Sequence, residues 1–207
     1  MDNYVITVAR GFGSGGKEIA TKVAEKLGIK CYEHRILTLA SQYTGYDEGE
    51  FQKVDEKLKG GYLKKLLGAI PGMKMPEPKG EFRSNDELFH YQAEIIRKLA
   101  DTENCVIVGK CADYVLKDYK NVVSVYIEAP RDFCYPRIMK KMGVDEAEAH
   151  RLIEKTDKYR ADYYKYYTHG NCWTNPVNYD LTINSQKTGI DHAVDLIIDY
   201  LNMKFML

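Results

Sequence analysis

Four glycines in six positions, set directly behind a short apolar run, constrain this chain more than any other feature. Tyr4 to Ala9 is almost wholly apolar, as suits a strand buried on both faces, and it is stopped by Arg10-Gly-Phe-Gly-Ser-Gly-Gly-Lys17-Glu18. Ile19, Val23, Ala24 and Leu27 then recur at helical spacing until Gly28 closes the segment. Strand, glycine loop and helix follow one another within about thirty residues. So much glycine is costly to order, and such a loop is expected where a ligand comes close to the backbone.

Two phosphate-binding patterns fit the same loop. Gly11, Gly13 and Gly16 satisfy G-x-G-x-x-G, the turn of dinucleotide-binding folds, and Glu33 stands about where the ribose-binding acid of such a fold is expected. Gly11, Gly16 and Lys17 equally satisfy G-x-x-x-x-G-K. In that loop the backbone N–H groups of Gly11, Gly13, Ser14, Gly15 and Gly16 turn onto phosphate oxygens, and Lys17 neutralises the β and γ phosphates. The second pattern gives a task to more residues. Glu18 occupies the place of its usual Ser or Thr; either it stabilises the positive end of the helix or it reaches the Mg²⁺ of a nucleotide.

The grammar repeats downstream. Lys30–Tyr32, Cys105–Gly109, Val122–Ile127 and Tyr179–Ile183 read as strands, and alternation with helices predicts a mostly parallel sheet covered on both faces. Between the second and third strands lie about seventy residues with helical pattern over roughly 35–43, 47–59, 62–67 and 85–101 and a Pro/Gly-rich stretch at 68–80. That is too long for one crossover and predicts a helical substrate-binding insertion. A second helical region, rich in charge and tyrosine, runs from Pro130 to about His169 with a break near Gly143, and a last helix covers about 190–203.

Thirty basic residues balance thirty acidic ones, so no overall field favours nucleic acid or an anionic membrane. The five cysteines form no C-x-x-C pair and the five histidines no metal-ligand spacing. The N-terminus lacks the features of a signal peptide, which predicts a cytoplasmic protein. Tyr163, Tyr164, Tyr166 and Tyr167 mark a packed helix face or a contact between two copies of the chain, so a homodimer is one expected assembly.

The runs 6–20, 28–33, 106–113, 157–164 and 179–184 together resemble, in order and over nearly the whole chain, the cytidylate kinase-like family of P-loop proteins. That family's loop also carries an acid after its basic residue, as Glu18 does here. The resemblance implies a three-layer α/β P-loop NTPase fold spanning 1–207 as one domain. It has a five-stranded mostly parallel sheet, a helical acceptor-binding subdomain at about 34–100 and a lid at about 140–170. It implies an ATP- and Mg²⁺-dependent phosphotransferase whose partners are small nucleotides and whose acceptor is a phosphorylated small molecule, a nucleoside monophosphate such as CMP.

Residue by residue, the resemblance sets Lys158 and Arg160 over the transferring phosphoryl group, Arg137 against the adenine face, and Lys110 and Asp113 on the acceptor side. Arg35 and Arg83 are candidate acceptor ligands by their place in the insertion, and Asp113 and Asp157 are candidate bases by topology. Where cytidylate kinases carry Gly-Arg, this chain has Gly109-Lys110, which keeps the charge and loses the planar fork. The cytosine-reading pattern is replaced by Cys111-Ala-Asp113. Two other readings stand beside the kinase: a nucleotide-binding sensor with weak or no kinase activity, and an NAD(P)-binding oxidoreductase.

Overall fold

The computed structural model describes residues 3–33, 36 and 85–206. The helices expected over about 35–43 (apart from Ile36), 47–59 and 62–67, the Pro/Gly-rich stretch 68–80, and Arg35 and Arg83 lie outside the described residues. The chain divides into two compact units, Met1–Glu33 with Ile96–Leu207, and His34–Ile95. In the smaller unit the described residues include the start of helix α2 (Asn85–Thr102), where His90 Nε2 and Glu94 Oε1 lie 3.1 Å apart one turn along.

The larger unit is built on a five-stranded sheet. Its strands are β1 (Val5–Arg10), β2 (Lys30–Tyr32), β3 (Cys105–Val108), β4 (Val122–Glu128) and β5 (Leu181–Asn184), in the order β2-β3-β1-β4-β5. Every pairing is parallel, and β1 lies at the centre, with Val8 opposite Val108 on one side and Val125 on the other. Both faces are covered, so consecutive residues of β1 and β3 are buried, Val5 to Ala9 and Cys105 to Val108, rather than every second one. Helix α1 (Gly16–Leu27) and the final helix, Ile190–Phe205, pack on one face. Ile19, Val23, Ile197 and Leu201 meet Ile6, Val8, Val125 and Ile127 there.

The last strand begins later than its apolar pattern suggests, because Asp180 is diverted. Its carboxylate accepts from Ser124 N at 2.8 Å and from Lys204 Nζ at 2.8 Å, which ties the strand entry to β4 and the final helix. A short helix, α3 (Ala112–Val115), follows β3. The region after β4 is a helical hairpin of α4 (Arg131–Met142) and α5 (Glu146–Tyr167), broken at Gly143, whose φ of 66° ends α4 in the left-handed conformation. Asp145 caps α5 by accepting from Glu148 N at 2.8 Å. The short α6 (Ser185–Thr188) joins β5 to the final helix, α7. No helix among the described residues is long and apolar enough to cross a membrane.

The hairpin has its own core of Cys134, Ile138, Ala149, Leu152 and Ile153, and Phe12 from the glycine loop packs against it. The loop is thus held between the main core and this second cluster. Ile153 is fully buried, and truncating it leaves a cavity that costs about 2 to 5 kcal/mol. Chemical denaturation of Ile153→Ala is expected to show a loss in that range; a loss below about 1 kcal/mol would mean that the hairpin core is not packed as described.

Candidate functional site

The site is built where β1 ends. Gly11 continues the strand pairing by donating to Ile127 O at 3.0 Å, and the Glu128 carboxylate fills the space that a side chain at this position would take. Gly13 has φ of 90° and would place a Cβ 2.8 Å from Cys134 Cβ. The chain then turns through Gly15, also left-handed, into α1, whose N-terminus has no side-chain cap. Uncapped N–H groups at the positive end of a helix suit a phosphate.

Ser14 has an internal task. Its hydroxyl donates to Gly11 O at 2.9 Å and accepts from Gly16 N at 3.3 Å, while its carbonyl accepts from Ser185 Oγ at 2.5 Å. Ser185 Oγ also lies 3.3 Å from Glu128 O, so one buried hydroxyl at the start of α6 braces both the loop and the end of β4.

Charged groups converge on this loop. Lys17 Nζ is in contact with Glu33 Oε2, and Arg10 Nη2 is 3.2 Å from Glu33 Oε1, so a single carboxylate beyond β2 holds both cations. Glu18 Oε2 accepts from Arg137 Nη2 at 2.8 Å, and its Oε1 faces Lys22 Nζ at 3.9 Å. Arg137 also lies over the Phe133 ring, 5.2 Å from its centroid.

Asp157 is the central acid of the hairpin side. It is buried, and its Oδ1 accepts from Phe12 N at 2.8 Å and faces Arg160 Nη1 at 3.4 Å, while Oδ2 accepts from Arg131 Nη1 at 2.7 Å. Arg160 reaches further and donates to Arg10 O at 2.9 Å, with its guanidinium 5.5 Å from the Phe12 ring centroid. Burial and the neighbouring Arg10 guanidinium lower Arg160 to about 9, against the pull of Asp157, Glu33 and Glu128, which leaves it charged at neutral pH. Helix α5 presents Asp157, Arg160 and Tyr164 along one stripe at i, i+3 and i+7.

Beyond β3 the backbone makes an uncommon turn. Gly109, Lys110 and Cys111 take φ of 75°, 61° and 53° in succession. Two consecutive non-glycine residues in that region cost about 1 to 2 kcal/mol each, and the turn is pinned by Ala112 N donating to Gly109 O at 3.1 Å and by the burial of Cys111. Arg10 lies against Gly109, with Nη1 2.4 Å from where a Cβ would be, so Lys110 is held at the same sheet edge as the glycine loop.

The cytidylate kinase-like family pattern matches residues 5–187. The chain belongs to that family. A solved structure of an uncharacterized protein from Eubacterium ventriosum ATCC 27560 is similar, with 28% identity over 96% of this chain and 98% of that one and a TM-score of 0.70. A gluconokinase from Sinorhizobium meliloti 1021 shares the fold at 13% identity, 98% and 96% coverage and a TM-score of 0.53. A shikimate kinase from Bacteroides thetaiotaomicron does so at 11% identity, 99% coverage of both chains and a TM-score of 0.51. No curated protein matches the chain in sequence. Membership of this kinase-like family supports an ATP-dependent phosphotransferase. The sheet order also departs from the 3-2-1-4-5-6 arrangement of dinucleotide folds, and Glu33 is turned onto Lys17 and Arg10, which leaves the NAD(P) reading without support.

The structure brings together Gly11 to Glu18, Arg137, Asp157 and Arg160. Lys158 lies elsewhere: about 100° round the helix from Asp157, it is 76% exposed and pairs with Asp162 at 2.9 Å. Asp157, proposed as a base, is committed to two arginines and a backbone N–H. Arg131, Glu128 and Arg10 are additions. Arg131 had one signal: it stands in the first turn of α4, where the helix dipole disfavours a cation, so a local rule is broken in favour of Asp157.

Asp113 is buried under the left-handed turn and accepts from Tyr164 Oη at 2.7 Å. Burial pushes its carboxyl up to about 6; the bonds from Tyr164 and from backbone N–H groups pull it down by less. The folded state therefore takes up a proton between about pH 4 and 6 that the unfolded chain does not, and the cost of the buried charge is absent below that window and complete above it. Asp113→Asn keeps an acceptor for Tyr164 and removes the charge. Urea denaturation at pH 7 is expected to find it more stable than wild type by up to about 3 kcal/mol, with the difference gone near pH 4; an equal difference at both pH values would contradict this assignment.

Proposed function

We infer that the chain transfers the γ-phosphoryl group of ATP to a small phosphorylated acceptor, of which nucleoside monophosphates are the first class to test. The observation that carries this reading is the convergence of Lys17, Arg160 and Arg131 on an uncapped glycine loop from three separate elements. The backbone N–H groups of Gly13 and Gly15, with those of Lys17 and Glu18 in the first turn of α1, hold the phosphates, and Lys17 neutralises the β and γ oxygens. Arg160, together with Arg131, supplies fixed positive charge where charge spreads over the transferring group. Catalysis of this kind is positioning and neutralisation, which a preformed, partly buried cluster provides without reorganising at the moment of transfer.

Arg137 lies beside the loop, 3.3 Å from where a Gly15 Cβ would be, and offers its planar face to the adenine. Mg²⁺ usually takes one or two carboxylates together with substrate phosphates, and Glu18 at the mouth of α1 is such a carboxylate. Glu18 reaches a metal once Arg137 turns from it, so the base-side and metal-side roles are joined through one ion pair. The metal, when bound, adds charge neutralisation at the β and γ oxygens. Lys110 is the acceptor-side cation, and its single ammonium fixes an acceptor phosphate less narrowly than an Arg fork would.

The reading is tested by ATP consumption across a panel of nucleoside monophosphates. Lys17→Ala is expected to lower turnover by about a hundredfold or more, a magnitude in line with removal of a group that stabilises transition-state charge; unchanged turnover would sink the site. Tight ATP binding without turnover on any acceptor would identify the nucleotide sensor instead. In the same assay Arg160→Ala is expected to lose about a hundredfold, while Lys158→Ala stays within about twofold of wild type, as for a surface pair worth under about 1 kcal/mol; the reverse order would return the lid charge to Lys158.

A further inference from the structure

Among the described residues Glu33 is the acid that touches the loop lysine, and nothing in a phosphate-binding loop requires it there. It ends the β2 segment, whose pairing of Tyr32 with Ile107 fixes the position of its backbone, and it receives Arg10 from the end of β1. The side chain is only 18% exposed, whereas Lys17 is 54% exposed and reaches back to meet it. A carboxylate oxygen on Lys17 Nζ has the charge and hydrogen-bonding chemistry of a phosphate oxygen and lies where that lysine would hold one.

We propose that Glu33 occupies the γ-phosphate position of the nucleotide site and makes the loop discriminate between nucleoside triphosphates and diphosphates. The proposal rests on the phosphate-loop reading of Lys17. Lys17 has three N–H donors, so a diphosphate, whose β oxygens engage one of them, leaves Glu33 on another. A triphosphate adds the γ oxygens and must expel the carboxylate, because further anions on one ammonium repel. The expelled side chain keeps Arg10, 3.2 Å away, as its partner, so the displacement is a rotation about a retained ion pair and leaves no buried charge uncompensated. The cost falls chiefly on ATP, which lowers triphosphate affinity relative to diphosphate, and when ADP is left after transfer Glu33 returns to Lys17.

Calorimetric titration of the full chain with ADP and with a β,γ-imido ATP analogue, each with Mg²⁺, measures the effect directly. Glu33→Gln is expected to tighten the triphosphate analogue about fivefold or more, equivalent to about 1 kcal/mol, and to move ADP by less than about twofold. The gain should vanish in Lys17→Ala/Glu33→Gln. Equal gains for both nucleotides, weaker triphosphate binding, or a gain that persists without Lys17 would each overturn the proposal. If wild type binds neither nucleotide, the phosphate-loop reading itself fails; if it binds both and Glu33→Gln leaves their ratio unmoved, only the role of Glu33 fails. Should Glu33→Gln not fold, Glu33→Asp, which withdraws the carboxylate by one methylene, is read in the same way.

Discussion

The carboxylate of Asp157 is the point on which the rest of the site depends. By accepting from Phe12 N, Arg131 and Arg160 it joins the glycine loop, the start of α4 and the middle of α5 at one buried group. Each partner is positive or carries a backbone proton, so the acid is compensated from three directions and its burial is tolerated. The same bonds fix the two arginines in front of the loop. An acid in the middle of an otherwise cationic cluster keeps those guanidiniums from repelling one another.

The site is therefore a set of internal ion pairs. Glu33 answers Lys17 and Arg10, Glu18 answers Arg137, and Asp157 answers Arg131 and Arg160. These pairs differ in burial. Glu18 and Arg137 are partly exposed and exchange partners at little cost, whereas Asp157 is almost enclosed and behaves as a fixed part of the scaffold.

The sequence made the frame legible to the extent that local chemistry dictates it. The apolar run before Gly11, the helical spacing from Ile19 to Leu27, and the strands at 105, 122 and 181 all depend on periodicity and on glycine, and each appears in the structure with small boundary shifts. What could not be read was which side of a helix meets which neighbour. Lys158 and Arg160 are equivalent as charges two residues apart, and only the docking of α5 on the loop turns one inward and the other to solvent. Asp113 looked like a ligand because it is an acid just after a strand; its burial against Tyr164 comes from a helix fifty residues further on. Glu33 was visible as an acid after β2, but its pairing with Lys17 exists only once β2 lies beside β3.

The brace from Ser185 to Ser14 has a consequence for how this protein comes into being. It links residues 171 positions apart, and with Arg160 to Arg10 at 150 it means that the loop gains its supports from segments far downstream of it. Contacts this distant in sequence are closed late and slowly, because the intervening chain must be gathered first. During synthesis the glycine loop leaves the ribosome long before β5 and α6, and until they follow it is a strand end with no partner for Ser14 O and no arginine on Arg10 O. A chain cut before Ser185 would carry the glycine motif in full and still lack this brace.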